Sequence, residues 1–81
     1  MTERDILDQI RTLVDKEHEL RTRSTAGEID SADEHAQLRS LEEALDQCWD
    51  LLRQRRARRS AGEDPDDAQA RTTQQVEGYL Q

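Results

Sequence analysis

The sequence predicts an all-α fold: a long antiparallel helical hairpin of coiled-coil character followed by a short C-terminal helix. Three observations carry that expectation. In two long stretches the apolar residues recur at spacings of three and four, and no alternating apolar–polar run marks a strand. Three glycines (Gly27, Gly62, Gly78) and a single proline (Pro65) punctuate the 81 residues and cut the chain into three pieces. Leu, Ile and Val make up only 14 residues and Phe is missing, while 38% of the chain is charged. That composition can clothe one side of a helix but cannot fill a layered core with a buried pocket, so a conventional globular enzyme is excluded as an expectation.

The first helix is expected over about residues 3–24. Thr2 is a suitable cap, Asp5 stands in the reciprocal capping-box position, and Glu3 and Asp5 place acid at the positive helix end. Ile6, Ile10, Leu13 and Leu20 form a heptad seam that Glu17 interrupts, with Leu7 and Val14 widening one side. Gly27 is the expected stop.

The second helix is expected over about residues 31–60. Ser31 and Glu34 read as a capping box, and Leu38, Leu41, Leu45, Cys48 and Leu52 make a cleaner seam. Ala44, Trp49 and Leu51 broaden it, and Gly62 breaks the run. Arg55 and Arg59 occupy the positions where the seam would continue, so sliding the hairpin would bury a guanidinium, which ties down its register. In the third piece Asp64 is placed to cap, Pro65 to open and Asp66 and Asp67 to fill the first turn of a helix whose apolar face is Ala68, Val76, Tyr79 and Leu80. The whole reads as one domain, with residues 1–61 as the hairpin and 62–81 as the acidic turn and C-terminal helix.

Counting equal levels from the turn places Leu20 by His35, Ile10 by Leu45 and Ile6 by Trp49, with the second helix overhanging the first from about Arg53. The apolar face is wide at the open end. Ile6, Leu7, Ile10, Val14, Leu45, Cys48, Trp49 and Leu52 are the expected interaction surface, since a two-helix hairpin cannot cover a face that broad. The third helix, a second copy or another protein would have to cover it.

Charge is segregated along the chain. Residues 1–50 hold 6 basic and 14 acidic side chains, residues 51–60 hold five arginines and no acid, and residues 61–81 hold one base and five acids. Arg53, Arg55, Arg56, Arg58 and Arg59 could grip phosphate or an acidic partner. They spray around the helix, no aromatics interleave with them, and the rest of the chain would repel a polyanion. The plainer expectation is that they favour the helix C-terminus and pair with the acids of the GEDPDD stretch. His18, His35 and Cys48 do not make a metal site: His35 and Cys48 are nearly four turns apart, and two ligands fall short of structural zinc. No cofactor is expected, no acidic pair converges for acid–base chemistry, and Cys48 reads as a small buried hydrophobe. Trp49 and Tyr79 suit either a partner surface or packing between the second and third helices.

No apolar run is long enough to span a bilayer, the start MTERDILDQI is not signal-like, and a lone Cys fits a reducing compartment, so the expected location is the cytoplasm. The segment LEEALDQCWDLLRQRRARRSAGEDPDDA, the ending VEGYLQ, and the helix-1 residues Ile10, Leu13, Val14, Glu17, His18, Leu20 and Arg21 resemble a small bacterial family of uncharacterised proteins with a domain-of-unknown-function label. The resemblance implies a free-standing small helical protein and carries over no activity or ligand. The expectation is therefore a non-enzymatic protein working by protein–protein interaction, self-associating as a four-helix-bundle dimer. The alternative is a regulator docking on nucleic acid, or on a nucleic-acid machine, through Arg53–Arg59; no small-molecule substrate is expected.

Overall fold

Helix α1 spans Glu3–Thr25 in the computed structural model, which describes residues 1–72 and Val76. Its start is the expected capping box: Thr2 Oγ1 accepts from the Asp5 N–H (3.2 Å) and Asp5 Oδ2 accepts from the Thr2 N–H (2.9 Å). Its end is a glycine-closed cap. Gly27, at φ 73°, donates to Ser24 O, and Glu28 donates back to Arg23 O, so the last carbonyls are satisfied by a left-handed residue that only Gly adopts without strain.

Helix α2 spans Ser31–Ser60. Its cap is Asp30 and not Ser31: the Asp30 side chain accepts from the Ala32 N–H at 3.1 Å. That one-residue difference moves Glu34 a position too far along to reach back to the cap, so the Ser31–Glu34 box does not form. Glu34 instead accepts the Ser24 hydroxyl hydrogen bond from the end of α1 and ties the two helices together across the turn. At the far end, Gly62 (φ 77°) donates to Arg59 O and Glu63 to Arg58 O, repeating the closure seen at Gly27.

The two helices pack antiparallel, as expected, but their side-chain contacts run about three residues beyond the counted levels. Gln9 meets Cys48, whose thiol donates to its Oε1 at 3.8 Å, and Glu3 meets Arg56 and Arg59. The reason is side-chain direction. Side chains on a helix lean toward its N-terminus, so in an antiparallel pair they lean in opposite senses along the common axis. Each residue therefore meets a partner about three positions beyond the one level with its Cα. Leu52, not Trp49, joins Ile6 and Ile10 in the core, with Leu45, Cys48 and Leu51 packed against them. For the same reason the arginine run does not stand clear of α1, because Arg56 and Arg59 both reach Glu3.

The third piece departs further from expectation. Asp64 caps as foreseen, accepting from the Asp66 N–H at 2.9 Å, but Pro65–Asp67 form a single 3-10 turn and the backbone is extended by Ala68. Residues 68–72 run as a strap back along α2 toward the turn. They do not continue as a helix because their carbonyls find side-chain donors on α2 instead. Val76 is helical and fully buried, whereas Tyr79 and Leu80 lie outside the described residues. Among the described residues, no helix is long and apolar enough to cross a membrane.

Candidate functional site

The described surface has two distinct sides. On one, α2 presents Gln47, Asp50, Gln54 and Arg55 to the strap. Gln54 Nε2 donates to Gln69 O (2.8 Å), Gln47 Nε2 to Arg71 O (3.2 Å) and Arg55 Nη1 to Pro65 O (3.2 Å). Three main-chain carbonyls of an extended segment are thereby held by side chains, which is how an irregular segment lies on a helix without orphaned polar groups. Asp50 sits at the centre, only 3% exposed, accepting from Gln54 Nε2 (2.9 Å) and facing Arg71 Nε at 3.5 Å. A charge so buried is tolerable because it is both hydrogen-bonded and ion-paired. Sequence reasoning passed over this cluster. The signal was present: Gln47, Asp50 and Gln54 are spaced three and four apart, a polar seam beside the apolar one.

Of the five arginines, four are held by acids of the same chain. Arg55 binds Asp66 (2.9 Å), Arg58 faces Glu63 (3.6 Å), and Arg56 and Arg59 share Glu3 (3.1 and 3.0 Å). Arg53 is exposed. Pairing with the acidic stretch downstream holds for Arg55 and Arg58, while Glu3 was an unforeseen partner. These pairs leave an electrostatic mark. The hydrogen bond from Arg56, joined by Arg59, holds the Glu3 carboxyl below the usual carboxylate range, and the Arg55 hydrogen bond does the same for Asp66. The Asp5 carboxyl is lowered by its capping bond to the Thr2 backbone. Burial pushes the Cys48 thiol up, which makes it a poor nucleophile. Among the described residues no three His, Cys, Asp or Glu side chains gather to hold a metal ion.

The expected apolar interaction surface divides into two sets. Ile6, Ile10 and Leu52 are interior to the single chain, with Leu45 and Cys48 half-buried against them, so these five are hairpin core. Leu7, Val14 and Trp49 remain outside, at 40%, 49% and 42% exposure. Their common side follows from the other one. A groove between the helices is lined by Gln9, Leu13 and Lys16 of α1 and by Ala44, Cys48 and Leu51 of α2. Ala70 of the strap borders that groove. Leu7 and Val14 lie across the Ile6–Ile10 stripe from it, and Trp49 lies across Leu52 from it. Leu7, Val14 and Trp49 therefore share the side away from the strap.

Residues 2–81 match a family described as protein of unknown function (DUF2630). An uncharacterised protein of Mycobacterium bovis (strain ATCC BAA-935 / AF2122/97) is 51% identical over 78 residues, spanning 96% of this chain and 90% of its own. Uncharacterised proteins of two Mycobacterium tuberculosis strains, CDC 1551 and H37Rv, match with the same identity and coverage. No solved structure matches the chain.

Proposed function

The chain belongs to the DUF2630 family of proteins of unknown function, and from its geometry we propose that it acts without catalysis, by docking one face of its hairpin against another helical surface. The observation that carries this is the grouping of Leu7, Val14 and Trp49. A Trp at 42% exposure beside two exposed aliphatics is unusual dress for a small, highly charged protein, and tryptophan is the side chain most enriched at binding hot spots. Among the described residues the strap occupies the opposite side, which leaves this face open to a partner. Self-association as a four-helix bundle is the first form of that docking, because two hairpins close each other's open side.

The perturbed carboxylates support a structural over a chemical reading, since Glu3, Asp5 and Asp66 each serve an ion pair or a cap. The nucleic-acid alternative gains nothing from an arginine run in which four of five guanidinia are held by acids of the chain. The lone free thiol of Cys48 suits a reducing compartment, and we place the protein in the cytoplasm. The test is size-exclusion chromatography with light scattering on the unaltered protein and on a Leu7→Ser/Trp49→Ser variant, at about 50 μM, where micromolar affinity registers. The reading expects assembly that the double variant abolishes. A mass of 9.4 kDa for both proteins contradicts self-association, and an assembly that the double variant leaves intact contradicts the face.

A further inference from the structure

The groove on the strap side of the hairpin runs along the helices in two stretches that share Lys16. The first is apolar: Leu13 of α1 and Ala44, Cys48 and Leu51 of α2 line it, and it encloses about 550 Å³. The second, toward the turn, encloses about 320 Å³ between Lys16 and Arg23 of α1 and Gln37 and Ser40 of α2, beside Leu20 and Leu41. Leu13 and Leu41 are seam leucines, yet both stay only half-buried, as do Cys48 and Leu51. Ala44 offers a single methyl beside Lys16, so α2 leaves the space there unfilled.

Four of the described residues lining the two stretches are charged: Asp8, Lys16, Glu19 and Arg23. Their signs cancel in sum but not in place. Lys16 follows Leu13 by three residues and Arg23 follows Leu20 by three, so both cations stand on the wall next to the seam. Asp8 comes one residue before Gln9 and Glu19 one before Leu20, a step of about 100° that turns each carboxylate to the outer rim. The inner wall is therefore apolar at one end and cationic at the other, with the Ser40 hydroxyl and the Gln37 amide beside the cations.

We propose that this groove binds a fatty acid, with the alkyl chain along Leu13, Cys48 and Leu51 and the carboxylate between Lys16 and Arg23. The chain removes from water the apolar surface that the hairpin leaves half-exposed. The carboxylate takes two cations and a hydroxyl as partners, so the site is mostly apolar with a few placed polar groups. Lysine suits the junction of the two stretches because its stem lies along apolar surface while its ammonium keeps to the polar side. The groove lies away from Leu7, Val14 and Trp49, so the proposal stands independently of self-association.

Cys48, a free thiol in the apolar stretch, is the reporter. Its alkylation by iodoacetamide is followed by mass spectrometry with decanoate, a soluble fatty acid, and with decanol, its neutral counterpart. Decanoate is expected to slow alkylation saturably, at a several-fold lower concentration than decanol. Lys16→Gln is expected to remove that advantage, raising the decanoate concentration needed several-fold and leaving the response to decanol unchanged. Ala44→Leu fills the apolar stretch and is expected to lose the response to both compounds. Circular dichroism checks that both variants keep the helix content of the unaltered chain. Alkylation indifferent to decanoate overturns the proposal, as does equal protection by the acid and the alcohol or a response that Ala44→Leu retains. Alkylation that slows with protein concentration when neither compound is present identifies a second copy in the groove and overturns it as well.

Discussion

At the scale of single residues, the interior is small enough that one side chain decides stability. Ile6 and Leu52 are almost wholly buried, and Ile6→Ala is expected to lose about 2–5 kcal/mol, measured as a drop in the urea midpoint. That is most of what a domain of this size has. Asp50 shows why part of the site was illegible in the sequence. Gln47, Asp50 and Gln54 read as a solvated stripe, and they are drawn in only because the carbonyls of Gln69 and Arg71 come to them from a remote segment. Gln54→Ala removes one of those bonds and with it the hydrogen bond to Asp50. Each is worth about 1 kcal/mol, so limited trypsin digestion is expected to cut after Arg71 several-fold faster in the variant.

The exposed ion pairs add a pH dependence whose sign is set. Glu3, Asp5 and Asp66 have carboxyls lowered in the folded chain. Their contribution is therefore present above the ordinary carboxylate pKa and is lost as acid protonates the folded form. Thermal unfolding followed by circular dichroism is expected to show stability falling below about pH 4. Glu3→Gln is expected to flatten part of that fall by removing the group shared by Arg56 and Arg59.

At the scale of elements, what was legible was local. The Thr2–Asp5 box, the glycine stops at Gly27 and Gly62 and the limits of both helices follow from residues within one turn of each other. What was not legible depended on side-chain direction or on distant segments. The three-residue shift in pairing came from leaning side chains, and the 3-10 turn at Pro65–Asp67 replaced a helix because α2 offers the strap donors of its own. The two closures predict matched behaviour. Gly62→Ala forces a left-handed Ala where the space is open, so strain of about 1–2 kcal/mol is the expected loss in thermal unfolding. Thr2→Ala, which removes half of the capping box, is expected to cost about 0.5–2 kcal/mol in the same measurement.

At the scale of the whole molecule, the hairpin is 50 Å long and 14 Å thick, two helices deep in one direction and barely one in another. Such a shape buries one seam and leaves a flank. The strap covers the flank beside Gln47 and Gln54, and nothing among the described residues covers Leu7, Val14 and Trp49. In the proposed dimer, self-association would complete the core by the same means the single chain uses, helix against helix. Because a dimer is stabilised by mass action, its folding should depend on how much protein is present. The most direct measurement is the urea midpoint at protein concentrations from about 1 to 100 μM, for the unaltered chain and for Trp49→Ser. The midpoint is expected to rise with concentration in the first and to stay flat in the second. A midpoint that stays flat for the unaltered chain would contradict the account.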